Sequence, residues 1–260
     1  MKRLFTLTAA AIALAFAAGT VNAGEKLRIG TEGAYPPFNA IDSSGNLIGF
    51  DVDVAKALCK AADFDCEFVV QDWDGMIPGL LAKKYDAIIA SMSITEERLE
   101  TVDFTNKYYS TPAKFVAKEG ANIEISAEGL AGKTIGVQGA TTHENFVHDN
   151  FPDADIRSYK TQDEANQDLV SGRVDLVIAD SVALDDGFLS TDSGKGHVFI
   201  GPGYTDPKWF GNGVGIAIRK GSDDLRMKLN AAIDQIRADG TYKKIQDQYF
   251  DFDVYGEPTS

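Results

Sequence analysis

Short apolar runs alternate with amphipathic stretches along most of the chain, and this alternation predicts the elements of the fold. Apolar runs bounded by polar or turn residues are predicted to be buried strands, and stretches with apolar side chains at helical spacing are predicted to be helices. The predicted strands cover 27–31, 66–71 and 86–90, and the predicted helices cover 51–62 and 73–84. Asp51 and Asp74 place negative charge near the helix N-termini, where the helix dipole favours it. Alternating strands and helices form parallel sheets, so the pattern predicts an α/β protein.

The second half of the chain repeats the order of elements in the first. Residues 133–147 predict a strand, a glycine turn and a helix, as the opening stretch does. Residues 174–188 resemble 85–99, because both contain a buried strand followed by a polar turn into a helix. Two halves with matched strand ends predict two similar lobes.

The connections predict where the chain passes between the lobes. Residues 104–120 are predicted to be a strand that leaves the first half, and 214–250 a strand and two helices that return to it. Lobe 1 is therefore predicted to consist of 24–110 and 210–260, and lobe 2 of 111–209. The two crossings would form a hinge. The cleft between the lobes is the expected ligand site, since open α/β sheets bind ligands at the carboxyl ends of their strands.

The first 23 residues are predicted to be a signal peptide. Lys2 and Arg3 precede a short, alanine-rich apolar stretch that ends in a small-residue cleavage site at Ala23. A membrane anchor is the alternative, but the apolar stretch is short and no other stretch of membrane-spanning length follows it. Cleavage after Ala23 predicts an exported, periplasmic protein.

The charge of the chain restricts its partners. The formal net charge is −14 at pH 7, and loss of Lys2 and Arg3 with the signal peptide would make it −16. Such an acidic surface repels nucleic acid and anionic lipid, and it draws cations toward a cleft. A nucleic-acid partner is therefore not expected. A cationic ligand is compatible with this charge, which ordinary solubility explains equally well.

The only two cysteines, Cys59 and Cys66, are separated by six residues. In an oxidising exported compartment, a pair this close predicts a local disulfide between the end of a helix and the next strand. Two thiols with no nearby histidine do not complete a tetrahedral metal site, so no metal is predicted.

A carboxylate and two aromatic rings form the first candidate group for chemistry. Glu32 follows a strand end, Tyr35 comes shortly after it, and Trp73 lies further along the chain. Aromatic faces can sandwich a cationic side chain while a carboxylate pairs with its charged end. The alternative is two core aromatic residues beside a solvated glutamate. The other residues that follow strand ends directly, and should line the cleft, are Ser91, Gln138 and Asp180.

The second candidate group lies in "SMSITEER", residues 91–98. Thr95 is predicted to cap a helix, and Arg98 lies one turn inside it. Arginine binds a carboxylate bidentately, aided by hydroxyls and by N–H groups near a helix N-terminus. The alternative is a capping box with a surface arginine paired to a glutamate.

Two further groups complete the picture. Thr141 and Thr142 begin a helix after a glycine turn, which offers a second place for an anion. Asp180 directly follows an apolar run, where an acid is costly unless it is paired with a cation. An N-cap role for Asp180 is the alternative. Together the groups predict a zwitterionic, cationic amino acid, with its carboxylate at Arg98, its ammonium at Asp180 and its side chain at Glu32.

Several stretches carry a resemblance to a known family that extends nearly end to end after the signal peptide. They are "IGTEGAYPPF", "GFDVDVAKALCK", "WDGMIPGL", "YDAIIASMSITEER", "IGVQGATT", "VDLVIAD", "ADGTYKKI" and "YFDFDVYG". In combination and order they resemble the periplasmic polar amino-acid-binding proteins of ABC transporters, solute-binding protein family 3. The lysine/arginine/ornithine-, histidine- and opine-binding members are the most similar.

This resemblance implies a two-lobed, type II periplasmic binding protein fold with a two-stranded hinge and the ligand in the interlobe cleft. It implies no catalysis and no cofactor, a disulfide between Cys59 and Cys66, and delivery of an amino acid to the permease subunits of an ABC importer by a monomer. Of the residues derived above, it places Ser91, Ser93, Arg98 and Thr141 at the carboxylate. The full set of implied ligand-binding residues is Glu32, Tyr35, Trp73, Ala90, Ser91, Met92, Ser93, Arg98, Gln138, Ala140, Thr141, Thr142 and Asp180.

The chain departs from the family pattern at two positions. Lysine- and arginine-binding members usually carry aspartate where this chain has Glu32, and a second serine where it has Ala90. Glu32 together with Trp73 also resembles the opine binders. Asp180 argues against an opine ligand, because its negative charge would repel the extra carboxylate of such a ligand. Arginine is therefore the first expectation, followed by lysine, ornithine and histidine, with an opine as the alternative.

An exported dehydratase is the enzyme alternative, because this two-lobed scaffold also serves such enzymes. A dehydratase needs a general acid or base aimed at a substrate carbon. The three histidines, His143, His148 and His197, show no metal or triad spacing. A binding protein is therefore preferred to an enzyme.

Overall fold

The structure is a computed structural model that describes residues 24–256, so the predicted signal peptide lies outside the described residues. The strands are β1 Glu25–Thr31, β2 Ala34–Tyr35, β3 Asn39–Ile41, β4 Leu47–Ile48, β5 Phe64–Val70, β6 Ala87–Ile88, β7 Val102–Tyr109, β8 Ala113–Lys118, β9 Thr134–Gln138, β10 Asp155–Tyr159, β11 Leu176–Asp180, β12 His197–Tyr204 and β13 Val214–Arg219. The α-helices are α1 Phe50–Ala61, α2 Met76–Leu81, α3 Glu96–Thr101, α4 Ala127–Leu130, α5 Thr142–Asn150, α6 Gln162–Val170, α7 Ser181–Leu184, α8 Pro207–Phe210, α9 Asp223–Ala238 and α10 Thr241–Gln246. A 3₁₀ turn covers Trp73–Gly75 and a π-helical turn covers Asp185–Leu189.

The described residues form two five-stranded sheets of matching design. The first has the strand order β5-β1-β6-β13-β7 and the second β10-β9-β11-β8-β12. In each sheet the first three strands are parallel and the last two pair antiparallel. The predicted α/β class and the two similar lobes are confirmed. The sheets are mixed instead of purely parallel, because the antiparallel strands flank the crossings between the sheets.

Two crossings connect the sheets. The chain leaves the first sheet at the end of β7 and enters the second at β8, so the single strand predicted over 104–120 is two strands. Pro112 lies between them and has no N–H to continue a strand ladder. The chain returns from β12 through α8 to β13 in the first sheet. This sheet membership supports the predicted lobes, whose boundaries stay a prediction.

The helix predicted over 73–84 is shorter and partly irregular. It begins as the 3₁₀ turn and continues as α2, which ends at Leu81. Lys83 then adopts a left-handed φ of 61°, which stops the helix. Trp73 is the first residue of the 3₁₀ turn and is partly exposed.

The apolar faces of the helices complete a separate core in each lobe. In the first lobe, Leu27 and Ile29 of β1 pack in one cluster with Leu58 of α1 and Ile233 of α9. The C-terminal helix α9 therefore packs in the same core as β1 and α1. The second lobe has its own cluster around Ile135 of β9.

Cys59 at the end of α1 and Cys66 in β5 form the predicted disulfide, with Cα atoms 6.1 Å apart. Across residues 24–256, no helix has the length and apolarity needed to cross a bilayer. In the same range, no group of three or more His, Cys, Asp or Glu side chains is arranged to hold a metal ion.

Candidate functional site

A cavity lies between the two sheets, at the carboxyl ends of β1, β6, β9 and β11. Residues from both lobes and from both crossings line it. Most of the predicted ligand-binding residues come together here, although they are widely spaced along the chain. Those that line the cavity are Glu32, Tyr35, Trp73, Ala90, Ser91, Ser93, Arg98, Gln138, Thr141, Thr142 and Asp180.

Met92 and Ala140 are the two members of the predicted set that lie outside the lining. The Met92 side chain is 1% exposed and packs in the core of the first lobe, away from the cavity that Ser91 and Ser93 line. Ala140 adopts a positive φ of 57°, and its carbonyl oxygen accepts a hydrogen bond of 2.9 Å from Trp73 Nε1. Ala140 therefore connects the lobes through its backbone.

Sequence reasoning missed the part of the lining that comes from the crossings. These residues follow no predicted parallel strand, so the rule about strand ends did not select them. A search of the two crossing segments would have found most of them, since a hinge lies at the back of its cleft. The missed lining residues in or beside the crossings are Ser110, Thr111, Ala113, Thr205, Phe210, Gly211, Gly213 and Val214. His143 of α5 is a further lining residue outside the predicted set.

Glu32 is a buried carboxylate held in a fixed turn. It follows β1, and Gly33 beside it adopts a φ of +75° and donates its N–H to Asn39 Oδ1 at 2.8 Å. The Glu32 side chain is 6% exposed and accepts a hydrogen bond of 2.6 Å from Gln138 Nε2 of the other lobe. Burial raises the pKa of Glu32 to about 7, against the opposing effect of the Gln138 hydrogen bond.

Asp180 caps a helix and also faces the cavity. Its Oδ1 caps α7 by accepting the N–H groups of Val182 at 2.9 Å and Ala183 at 3.4 Å. Its Oδ2 accepts a hydrogen bond from the Thr111 hydroxyl, and the carboxylate lines the cavity. Burial raises its pKa to about 6, although these hydrogen bonds lower it.

Arg98 supplies a positive charge to the cavity. Thr95 caps α3 by accepting the Arg98 N–H at 3.2 Å, as predicted. The Arg98 guanidinium donates to the Ser93 carbonyl at 3.0 Å and lies 5.3 Å from the centre of the Trp73 ring. Burial lowers its pKa to about 10, so the group stays charged at neutral pH. The arginine–glutamate surface pair does not form.

The helix α5 begins at the opposite wall. Thr141 caps it by accepting the Glu144 N–H at 3.1 Å, and the Thr141 hydroxyl donates to the Gln138 carbonyl at 2.7 Å. Thr142 and His143, the first residues of α5, also line the cavity. The N-terminus of α5 therefore adds to the positive potential there.

The charges that face the cavity lack partners of opposite sign. Within residues 24–256, none of the side chains of Glu32, Arg98 and Asp180 forms an ion pair. Buried charges are costly when unpaired. A guest with two positive groups and one negative group would satisfy all three residues.

The lobes touch each other across the cavity. Besides the Gln138–Glu32 and Trp73–Ala140 hydrogen bonds, Lys160 Nζ of the second lobe lies 2.8 Å from Asp72 Oδ2 of the first. The Asp180 N–H donates to the Tyr35 hydroxyl at 3.2 Å. These contacts describe a closed cleft.

The family model for bacterial extracellular solute-binding proteins, family 3, matches residues 27–252. The chain belongs to this family. Proteins of this family bind amino acids and work with the permeases of ABC transporters. The relationship confirms the resemblance noted from the motifs.

Individual relatives agree with this assignment. An L-arginine-binding protein of Pseudomonas aeruginosa is 52% identical, over 98% of this chain and 99% of the relative. A histidine-binding periplasmic protein of Escherichia coli is 42% identical, over 98% of this chain and 100% of the relative. These relatives are named as binding proteins, in agreement with the solute-binding family of this chain.

A solved structure also matches this solute-binding protein. It is a periplasmic binding protein of Salmonella typhimurium described for high arginine specificity, and it is 33% identical. The match has a TM-score of 0.81 and covers 87% of this chain and 99% of that one. The two-lobed periplasmic binding protein fold is therefore confirmed.

Proposed function

We propose that this protein is the periplasmic component of an ABC importer and binds a cationic L-amino acid, with arginine preferred to lysine, ornithine and histidine. The observation that carries the proposal is the charge pattern of the cavity, in which two buried carboxylates and one guanidinium form no ion pair with any described residue. Arginine carries the complementary set of two positive groups and one negative group. The 52% identical relative named for L-arginine binding supports the same choice.

Each group of the ligand has a partner of suitable chemistry. The α-carboxylate would bind Arg98 and the N-terminus of α5, and the α-ammonium would bind Asp180. The guanidinium would reach Glu32, beside the rings of Tyr35 and Trp73. The Trp73 ring is held in place by its hydrogen bond to the second lobe. A planar guanidinium stacks on aromatic rings better than an ammonium does, which favours arginine over lysine.

Transport would follow from closure of the lobes. Because Glu32 and Arg98 belong to the first lobe and Asp180 belongs to the second, a bound amino acid bridges the lobes and stabilises the closed state. The closed monomer would then dock on the permease subunits and release its ligand. The relatives' periplasmic location supports the same location for this chain after removal of residues 1–23.

The ligand is tested by titration calorimetry with L-arginine, L-lysine, L-ornithine, L-histidine, L-glutamine and octopine. Arginine should bind most tightly, and Glu32→Gln should weaken arginine by about 30-fold or more while changing glutamine by less than about threefold, because only arginine places a charge at Glu32. The exposed Glu128→Gln is the matched control. Equal losses for arginine and glutamine would contradict the side-chain placement, and tightest binding of octopine would favour the opine alternative.

Arginine affinity is expected to fall as the pH falls below 7. The pKa of Glu32 is about 7 and that of Asp180 about 6 without ligand, and a bound cation stabilises both ionised forms and lowers both pKa values. Binding therefore releases protons. Protonation of Glu32 alone should weaken arginine binding about tenfold as the pH falls from 8 to 6. Calorimetry in buffers of different ionisation enthalpy measures the release. Glu32→Gln should remove most of it, and wild-type binding without proton release would contradict the prediction.

A further inference from the structure

Asp51 is a fully buried carboxylate that lies behind the cavity and does not line it. It is the second residue of α1, and its carboxylate accepts hydrogen bonds from three side chains of other elements. Tyr108 of β7 donates to Oδ1 at 2.7 Å. Asn39 of β3 and Ser91, which follows β6, both donate to Oδ2 at 3.0 Å. The carboxylate thus joins the hinge strand, the turn after β1 and the cavity wall.

The direction of these hydrogen bonds is determined by the neighbours. Asn39 Oδ1 accepts the Gly33 N–H at 2.8 Å, so the Asn39 amide must present its NH₂ group to Asp51. An NH₂ group can only donate, so Asp51 acts as an acceptor. Burial raises the pKa of Asp51, and the hydrogen bonds from Tyr108, Asn39 and Ser91 oppose that shift because they stabilise the ionised carboxylate.

Two parts of the ligand site depend on this acceptor. Ser91 lines the cavity with a positive φ of 55°, which is unusual for a residue other than glycine. Its hydroxyl hydrogen is directed to Asp51, so its oxygen presents lone pairs to the cavity. Through Asn39 and Gly33, the same carboxylate holds the turn that carries Glu32.

We propose that Asp51 is a positioning residue of the ligand site, which orients Ser91 as a hydrogen-bond acceptor and holds the Glu32 turn without contacting the ligand. The proposal rests on the proposed function of binding a cationic amino acid. It places Ser91 near the ammonium of the ligand instead of the carboxylate, because an oxygen that presents lone pairs attracts an N–H donor.

The first test is Asp51→Asn with arginine affinity measured by calorimetry. Asparagine has one acceptor oxygen in place of two, so its NH₂ group must face either Tyr108 or the Asn39 and Ser91 donors. At least one of the three hydrogen bonds donated to position 51 is lost, and the groups around that position would shift. We expect the dissociation constant for L-arginine to rise about 20-fold. The control Tyr242→Phe removes another buried hydrogen bond of the first lobe, to the Tyr108 carbonyl at 2.6 Å. It should lower the melting temperature of the ligand-free protein and leave the arginine affinity within about twofold.

A double-mutant cycle with Ser91→Ala separates positioning from general destabilisation. If Asp51 acts in part through Ser91, the loss caused by Asp51→Asn should be at least about threefold smaller in the Ser91→Ala background than in the wild type. The double variant Asp51→Asn/Asn39→Asp restores donor–acceptor pairing from Gly33 to position 51. The double variant should recover most of the affinity that is lost through the displaced turn. If Asp51→Asn alone does not fold, the double variant replaces it in the cycle with Ser91→Ala.

Two results would overturn the positioning role. The first is a dissociation constant for L-arginine that differs by less than twofold between Asp51→Asn and the wild type. The second is full additivity of the losses caused by Asp51→Asn and Ser91→Ala, together with no recovery of affinity in Asp51→Asn/Asn39→Asp. A wild-type protein that binds none of the cationic amino acids would instead overturn the proposed function.

Discussion

Arg98→Ala is expected to abolish binding of every α-amino acid, with a loss in affinity of about a thousandfold or more. The guanidinium is the only cationic side chain that lines the cavity formed by the described residues, and it lies half-buried against Trp73. A carboxylate left in a closed cleft without that charge would lose its hydrogen bonds and its ion pair together.

The ligand-free protein should tolerate the same substitution. The Arg98 guanidinium donates a hydrogen bond to the Ser93 carbonyl, while burial opposes its charge and lowers its pKa. Removing an unpaired charge from a partly buried position costs little stability. The ligand-free melting temperature should therefore change little, while the increase in melting temperature caused by arginine disappears.

Calorimetry and thermal unfolding with two ligands test this role. Arg98→Ala should not bind L-arginine measurably. Agmatine lacks the carboxylate, so it should bind the variant and the wild type with similar affinity. The exposed Arg157→Ala is the matched control and should bind arginine normally. Tight binding of L-arginine to Arg98→Ala would show that the carboxylate binds elsewhere.

Asp180→Asn is expected to weaken arginine binding by about 100-fold. Asparagine caps helices about as well as aspartate does, so α7 should keep its N-cap and the change isolates the charge. The substitution leaves the α-ammonium of the ligand without a counter-charge in a buried place. The loss should be nearly the same for lysine and ornithine, because they share that group.

A ligand without the α-amino group makes this test specific. 5-Guanidinopentanoate should bind the wild type and Asp180→Asn with similar affinity, because it has no ammonium to lose. The control Asp239→Asn changes an exposed carboxylate that also accepts a backbone hydrogen bond, from Thr241 at 2.8 Å. If both ligands lose affinity equally, Asp180 acts on the shape of the cleft and the ammonium assignment is wrong.

Much of the site was predictable because its residues follow local signals. Glu32, Gln138 and Asp180 come directly at or after apolar strands, and parallel strands bring their carboxyl ends to one edge of a sheet. The alternation of strands and helices repeats in both halves, so the two-lobed fold was also predictable. The caps at Thr95 and Thr141 are local sequence signals as well.

The crossings and the element ends were less predictable. Pro112 divides 104–120 into two strands that belong to different sheets, although the apolar pattern continues through it. Residues of the crossings, such as Thr111, line the cavity only because the chain passes behind the cleft there. Sheet assignment depends on pairing between distant strands, which a local pattern does not encode.

The sequence by itself determined the fold class, the two halves, the disulfide pair and the polar residues at the strand ends, because hydrophobic periodicity and turn chemistry act between near neighbours. Only the tertiary structure decided which charges stay unpaired and which are satisfied. Glu32 meets Gln138 across 106 residues, and Ser91 meets Asp51 across 40. Burial and the pairing of charges depend on such long-range contacts, so they emerge only when both lobes have folded and closed on each other.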